Sequence, residues 1–455
     1  MAGDRPTIDY VDFFRAVNPS KTLDISKESD RRYYIDFTAV RGDKVIRKLK
    51  NRIVRLSPDE PTCSLFTGHI GCGKSTELLR LKKELEEEKF FVVYFMGDDY
   101  LDTADVDIID VLLAIAGQIA RELEQKIPPV AEGLRKFLLG VRDVLLTEIE
   151  VKAEAKFADQ KLGADTETGE VKLSTVFGDL TMKAKNDPGW RSRLNQFVGP
   201  QLNKLIDGIN DDLIRPGIEQ LKGLGYKGLV VIVDNLDRID NRTKASGRSQ
   251  QEYLFVDKGE ALASLACHKV YTMPLALRFS NEFSALKQRF TYLPECLPMV
   301  QVITQQGEAV QEGIDKLKQM VLARAFPTLP EEERFERVSE IFESDAAFDR
   351  LCRVSGGHVR DLLKLLVQWV EEEMDLPLTE VCLEDAITEW SNEMQLMVSS
   401  DEWELLRQVR ESKQVSGDEE GYQPLIRSRM VFEYCNRRQS WFDVNPILLE
   451  VGKLP

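Results

Sequence analysis

The chain has 455 residues, of which 43% are hydrophobic and 30% charged, and its formal net charge is −16. That length holds about two to four domains with ample core, and the acidic balance argues against a broad nucleic-acid-binding surface while leaving room for a local basic patch. No apolar run approaches the ~20 residues that span a bilayer, no N-terminal signal region is visible, and seven cysteines without C-x-x-C spacing suggest neither a zinc site nor a disulfide framework.

A cytoplasmic, reduced protein is therefore expected. Its three histidines, His69, His268 and His358, leave little room for histidine-based metal or nucleophile chemistry and are read as structural.

Residues 1–32 are polar, with Pro6 and Pro19, and read as an extended or short helical N-terminal arm. Tyr33, Tyr34, Ile35 and Phe37 lead to Val40-Arg41-Gly42. A helix follows on Val45, Ile46, Leu49, Ile53 and Val54. Cys63 to Thr67 is a short apolar strand, and it runs into Gly68-His69-Ile70-Gly71-Cys72-Gly73-Lys74-Ser75-Thr76. This stretch fits G-x-x-x-x-G-K-[ST], the phosphate-binding loop of P-loop NTPases. The glycines let the backbone wrap phosphate oxygens with inward N–H groups. Lys74 supplies charge to the β- and γ-phosphates of ATP, and the Ser75 hydroxyl can take one Mg²⁺ position at the start of a helix. That helix carries Leu78, Leu81 and Leu85 on its buried face. The aromatic segment before the loop then has two readings. Tyr33, Tyr34 or Phe37 packs on the base with Arg41-Gly42 as the turn beneath it, or the segment is an ordinary N-terminal strap.

Phe90 to Met96 is a continuous apolar run, read as a parallel strand buried on both faces, and residues 106–126 follow as an amphipathic helix. Residues 127–226 break this strand–helix rhythm and are too long for a connection. Within them, 130–148 reads as helix. Val151, Ala153, Ala155 and Phe157 alternate with charges as a strand would, 165–169 reads as a turn, 171–184 as a return strand, and about 190–222 as a helix. This inserted hairpin region is either a partner-binding or autoinhibitory element or a solvated insertion.

Leu229 to Val233 is again a buried parallel strand, ending at Asp234-Asn235-Leu236-Asp237-Arg238. An acid at that tip can hold the Mg²⁺ shell facing the phosphate loop, which assigns Asp234 to the metal beside Ser75. A second acid orients or deprotonates the attacking water, which assigns Asp237, although a helix-capping or Arg238-pairing role is also open.

The Asp-Asn-Leu-Asp-Arg run resembles the hhhh-D-x-x-D pattern of STAND NTPases, the signal-transduction branch that includes NACHT proteins. It is also similar to the D-D-L-D-R of KAP-type NTPases, but no stretch between the two motifs is apolar enough to span a membrane as KAP proteins do. The remainder resembles the STAND and origin-recognition-like AAA+ grouping, with Asn235 where many AAA+ proteins have glutamate. By that resemblance, His268 to Leu275 is the next core strand, with Thr272 either a polar sensor residue or an ordinary threonine in a buried strand, and Leu297 to Ile303 is a fifth. Helices at about 311–326, 333–343, 345–353 and 357–372 form a lid. There Ser355-Gly356-Gly357-His358-Val359-Arg360 is similar to a second sensor motif, with Arg360 reaching the γ-phosphate. Residues 401–450 look like a winged helix whose hairpin tip and approach carry Arg427, Arg429, Arg437 and Arg438, a phosphate-contacting patch or a solvated docking face. Arg278 and Arg289 are candidate fingers toward a neighbouring subunit.

The expected fold is thus α/β: a three-layer P-loop NTPase core with a parallel sheet (33–126 and 227–305), the inserted hairpin region (127–226), a helical lid (306–395) and a C-terminal winged helix (396–455). The implied function is an ATP-binding and hydrolysing switch that changes conformation or forms homo-oligomers with nucleotide state, in bacterial signalling or anti-phage defence, with a protein partner through the insertion. The alternatives are a DNA-associated AAA+ regulator or loader and a nucleotide-gated scaffold with negligible hydrolysis.

Overall fold

A computed structural model describes residues 8–128, 131–154, 172–415, 421–436 and 439–454. Five strands form one parallel sheet: β1 (Cys63–Thr67), β2 (Phe90–Met96), β3 (Gly228–Asp234), β4 (His268–Thr272) and β5 (Glu295–Cys296), in the order β2-β3-β4-β1-β5. The apolar runs form these strands because both sheet faces are covered; every residue of β1, β3 and β4 is buried. The register sets Met96 beside Asp234, Val233 beside Tyr271 and Phe66 beside Thr272. The strand tips therefore share one rim, the place where open α/β sheets bind ligands.

The insertion differs from expectation. The helix from Glu132 continues to Glu154 through the residues expected to begin a strand, and Leu173–Asn186 is helix rather than return strand. In that second segment Leu173, Val176, Phe177, Leu180 and Ala184 recur at a helical spacing, which outweighs the local β-branched content. It packs on the helix Ile108–Leu123, where a Cβ on Gly117 would lie 2.9 Å from Phe177 Cβ. That neighbour explains why Ile108–Leu123 is apolar nearly all round. The expected turn at 165–169 and Phe157 lie outside the described residues. The single helix expected over 190–222 is broken into Pro188–Val198, Leu202–Gly208 and Arg215–Gly223, with Pro188, Pro200 and Pro216 in the first turns of helical pieces.

The expected fifth strand also changes. Pairing in the sheet is confined to Glu295–Cys296 and a bond from Leu297 N–H to the Thr67 carbonyl (2.8 Å). Pro298 lacks a donor. Beyond it, Met299 N–H bonds the Glu433 carbonyl (3.0 Å) and Gln301 N–H the Val40 carbonyl (3.0 Å). The segment leaves the sheet to become a seat for the C-terminal unit.

The lid comprises helices Gln311–Ala325, Asp345–Val354, Val359–Glu373 and Glu380–Gln395, with a shorter piece, Glu331–Phe335, where a full helix was expected. The winged helix has helices Ser400–Ser412 and Tyr422–Arg427 and the antiparallel pair β6 (Val431–Asn436) and β7 (Gln439–Val444). Phe432, Tyr434 and Trp441 do not stay with their own unit. They join Val45, Leu49, Phe66, Leu78 and Leu81 in one cluster beneath the phosphate loop. Phe13, Val17 and Phe37 of the N-terminal segment likewise pack into the lid's cluster. Arg437 and Arg438, the expected wing tip, lie outside the described residues. Among the described residues no helix is long and apolar enough to cross a membrane.

Gly357 marks the tightest crossing of lid and seat. Its φ is +76°, and a Cβ there would overlap the Val300 carbonyl oxygen. Gly452 has a similar φ (+71°) with nothing near. Gly452→Ala should cost about 1 kcal/mol from backbone strain alone, and Gly357→Ala at least about 2 kcal/mol more, read from urea unfolding midpoints. Equal costs would contradict the crossing.

Candidate functional site

The phosphate loop leaves β1 at Gly68 and enters the helix Lys74–Glu87, whose N-terminus carries no side-chain cap. Its first amides are thus available to an anion. Gly71 (φ +96°) is crowded by the lid: a Cβ would lie 2.8 Å from His358 Cε1 and 2.9 Å from Arg360 Cβ. Lys74 is buried within the loop. Its ammonium donates to the Gly68 (2.8 Å) and His69 (2.9 Å) carbonyls and pairs with Asp237 Oδ2 at 2.9 Å. Burial would push this ammonium down, but Asp237 outweighs it and holds Lys74 above its ordinary value.

Asp234 closes β3 with its carboxylate among donors: Tyr94 hydroxyl (2.9 Å), Asn235 N–H (2.7 Å) and the Ser75 hydroxyl. Burial, then the charge of Asp237, pushes its carboxyl above the usual range. The structure therefore brings Ser75 and Asp234 together. Asp237 Oδ1 is buried with no hydrogen-bond partner, while its other oxygen holds Lys74. Asn235 sits in the left-handed region (φ +61°) and donates its side-chain amide to Asp98 at 2.9 and 3.1 Å. Arg238 also donates to Asp98, at 2.9 Å.

Thr272 is not brought to the cavity. It is fully buried, and its hydroxyl accepts the Leu236 N–H at 2.9 Å, fixing the turn after β3. In this structure the side chain supports the backbone, as an ordinary threonine in a buried strand would.

These groups open onto a cavity of about 870 Å³, mouth included. Its lining includes the polar Lys74, Ser75, Thr76, Asp237, Arg238 and Arg360 and the apolar or aromatic Leu23, Tyr33, Phe37, Met320 and Leu363. Tyr34 also lines it and donates to buried Glu77 (3.2 Å). The N-terminal arm thus contributes Leu23, together with Pro19, Lys21 and Thr22, which the sequence offered no signal to find. Arg41 lies beneath the loop, donating to the Cys72 (2.7 Å) and Pro298 (2.5 Å) carbonyls. It supports the loop backbone and also lines the cavity. The Arg360 guanidinium forms no hydrogen bond or ion pair with the described residues. Burial, then repulsion from Arg238 and Arg429, pushes it below its ordinary value.

Two histidines join the loop to the other units. His358 Nε2 faces the Ile70 carbonyl at 2.9 Å, and its ring stacks on Phe432 at 5.6 Å. His69 Nε2 accepts the Glu433 N–H at 3.2 Å, and its ring meets Phe432 edge-on. Asp361, beside His358, pairs with Arg429 of the winged helix at 2.6 Å. Arg278, a candidate finger toward another subunit, is instead paired within the chain to buried Glu433 at 2.5 Å, and Arg289 pairs with Glu260. A single acid inside the apolar run Val431 to Cys435 was the available sign of that buried partner.

No protein-family model matches the chain, and no curated protein matches it. Solved structures it resembles include the Walker-type ATPase PABY2304 of Pyrococcus abyssi (13% identity, 96% of this chain and 99% of that one, TM-score 0.37). Others are the ORC2 protein of Aeropyrum pernix in ADPNP–ADP complexes (12%, 95% and 93%, 0.37) and Cdc6p from Pyrobaculum aerophilum (12%, 93% and 96%, 0.36).

The His69 contact has a pH signature. Burial pushes its imidazole down to about 3. A depressed histidine contributes stability that is whole above the unfolded value near 6.5 and is lost as pH falls toward the folded one. The stability of wild type relative to His69→Gln, which cannot titrate, should therefore fall by about 1.4 kcal/mol per pH unit from 6.5 to 5. Parallel urea-unfolding profiles would contradict this.

Proposed function

We propose that the protein is an ATP-binding and hydrolysing molecular switch of the STAND/AAA+ kind. The observation that carries this reading is one cavity lined by Lys74, Ser75, Asp237 and Arg238 of the core, by Arg360 of the lid and by the aromatic and aliphatic side chains Tyr33, Phe37 and Leu363. Phosphates would displace Asp237 from Lys74, because a polyphosphate offers the ammonium more charge at the same place. Asp237 would then be free to take the proton of an attacking water. The residues fit Mg²⁺: the Ser75 hydroxyl and the Asp234 carboxylate are two adjacent hard oxygen donors, and the ion would neutralise charge between the β- and γ-phosphates. Arg238 and Arg360 stabilise the γ-phosphate end, and Tyr33, Phe37 and Leu363 hold the adenine.

The packing of β6 on the phosphate loop supports a closed resting form, as expected of STAND proteins with ADP. ATP binding would draw Arg360 inward, move the lid helix Val359–Glu373 and strain the Phe432 and Glu433 contacts. The exposed winged helix would then serve self-association in cytoplasmic signalling or defence. The DNA-associated reading fits the winged helix as well: Arg427, on the helix before the hairpin, is exposed, while Arg429 is paired with Asp361.

Light scattering on a sizing column, with no nucleotide, Mg-ADP or a non-hydrolysable Mg-ATP analogue, tests the reading, with phosphate release followed in parallel. A larger defined assembly with the analogue alone, absent in Lys74→Ala, is the expected result. An assembly that forms only when duplex DNA is added would favour the DNA-associated regulator. An unchanged mass in every state would overturn self-association. Asp237→Asn should keep nucleotide affinity within about threefold and lower kcat by about 10² to 10³; unaltered turnover would remove Asp237 as the base.

A further inference from the structure

The loop from β2 to the helix Ile108–Leu123 is held between two sets of side chains. On one side stands the insertion. Lys185, in the last turn of the helix Leu173–Asn186, donates its ammonium to the Asp98 and Asp99 carbonyls, both at 2.7 Å. Arg191, in the next helix and 3% exposed, pairs with Asp102 at 2.9 Å and Asp105 at 3.4 Å. On the other side stands the segment after β3. The Asp98 carboxylate accepts from Asn235 and Arg238, and the Thr103 carbonyl accepts the Asp240 N–H at 3.0 Å. Asn235 and Arg238 both line the nucleotide cavity.

The geometry is a relay with few free joints. Residues Gly97–Asp99 form one tight turn, closed by Tyr100 N–H and Leu101 N–H on the Gly97 carbonyl. Gly97 is pressed against Leu236, whose Cδ2 would lie 3.0 Å from a Cβ there. An ammonium bound to two successive carbonyls fixes the rotation of that turn, and the rotation decides where the Asp98 carboxylate points. Asp98 in turn fixes the Asn235 amide and the Arg238 guanidinium. Lys185 is only half buried, so its removal leaves carbonyls that water can reach; the cost falls on orientation more than on stability.

We infer that Lys185 is a positioning residue through which the helical insertion orients Asp98, and with it Asn235 and Arg238, at the γ-phosphate end of the cavity. The insertion thereby governs turnover more than nucleotide affinity, because Lys74, Ser75 and the base-facing wall stand on elements that Lys185 does not touch. The catalytic part of this inference rests on the nucleotide-switch reading above.

The test uses the full chain with Lys185→Met and Lys185→Arg, read by amide hydrogen exchange and by steady-state ATPase kinetics. In Lys185→Met, peptides spanning residues 235–240 should exchange at least about fivefold faster, while β1 and β6 stay unchanged. kcat should fall about tenfold with KM within about twofold. Lys185→Arg, which keeps a donor fork, should restore most of both. Exchange and kcat within twofold of wild type in Lys185→Met would overturn the inference. So would a uniform rise in exchange across the whole chain, since that reports loss of fold. If the wild-type chain binds no nucleotide, the switch reading fails, yet the exchange of 235–240 still decides whether Lys185 controls the segment.

Discussion

A phosphate-binding loop keeps most of its amides free for its ligand, and so most of its carbonyls are satisfied from outside; among the described residues only the Cys72 amide turns back, onto the His69 carbonyl at 3.2 Å. From Gly68 to Gly73 every carbonyl here has a named donor. Lys74 serves Gly68 and His69, His358 faces Ile70, the Arg360 amide serves Gly71, Arg41 serves Cys72, and the Glu77 amide serves Gly73. A buried carbonyl left without a partner costs about 1–3 kcal/mol. These donors come from the loop's own helix, the strap before β1 and the lid. The winged helix completes the enclosure, with Phe432 between the two histidines and Glu433 bonded to His69. The arrangement of all units follows from the need to hold this one stretch of backbone from behind.

The same constraint explains what the chain can do when charge arrives in the loop. Lys74 holds one oxygen of Asp237 while the other has no partner, and among the described residues Arg360 forms no ion pair and faces the charges of Arg238 and Arg429. On the proposed switch reading, an anion at Lys74 would displace Asp237 and draw Arg360 of the lid toward the core. Arg360 and His358 stand two residues apart at the start of the helix Val359–Glu373, so on that reading a movement of Arg360 would disturb the stacking of His358 on Phe432. Chemistry at one end of the cavity and packing at the winged helix are linked over a very short path.

Much of the core was legible in the sequence because apolar runs and glycine spacing are local signals. The runs at 63–67, 90–96 and 229–233 became strands within a residue, and the loop, Ser75, Asp234 and Asp237 meet as their spacing implied. What escaped was decided by distant partners. Residues 297–303 look like a strand because they are extended and apolar, yet Pro298 and the edge of β6 turn them into a seat. Leu173–Asn186 was misread because its periodicity competes with β-branched composition until the helix Ile108–Leu123 is known to lie beside it. Thr272 was placed at the correct strand tip, but its hydroxyl is claimed by the Leu236 amide. Arg278 could not be paired with Glu433 from sequence, since 155 residues separate them.

The sharing of Phe432, Tyr434 and Trp441 with the cluster under the phosphate loop also bears on how such a chain can change over generations. A winged helix attached by a linker alone can be traded between proteins like a cassette. This one cannot, because its hairpin supplies part of the floor beneath a loop hundreds of residues earlier. Substitutions in β6 and in residues 42–54 must therefore be accepted together or not at all. The C-terminal unit is part of the packing beneath the phosphate loop, and a cut at the lid boundary would expose both.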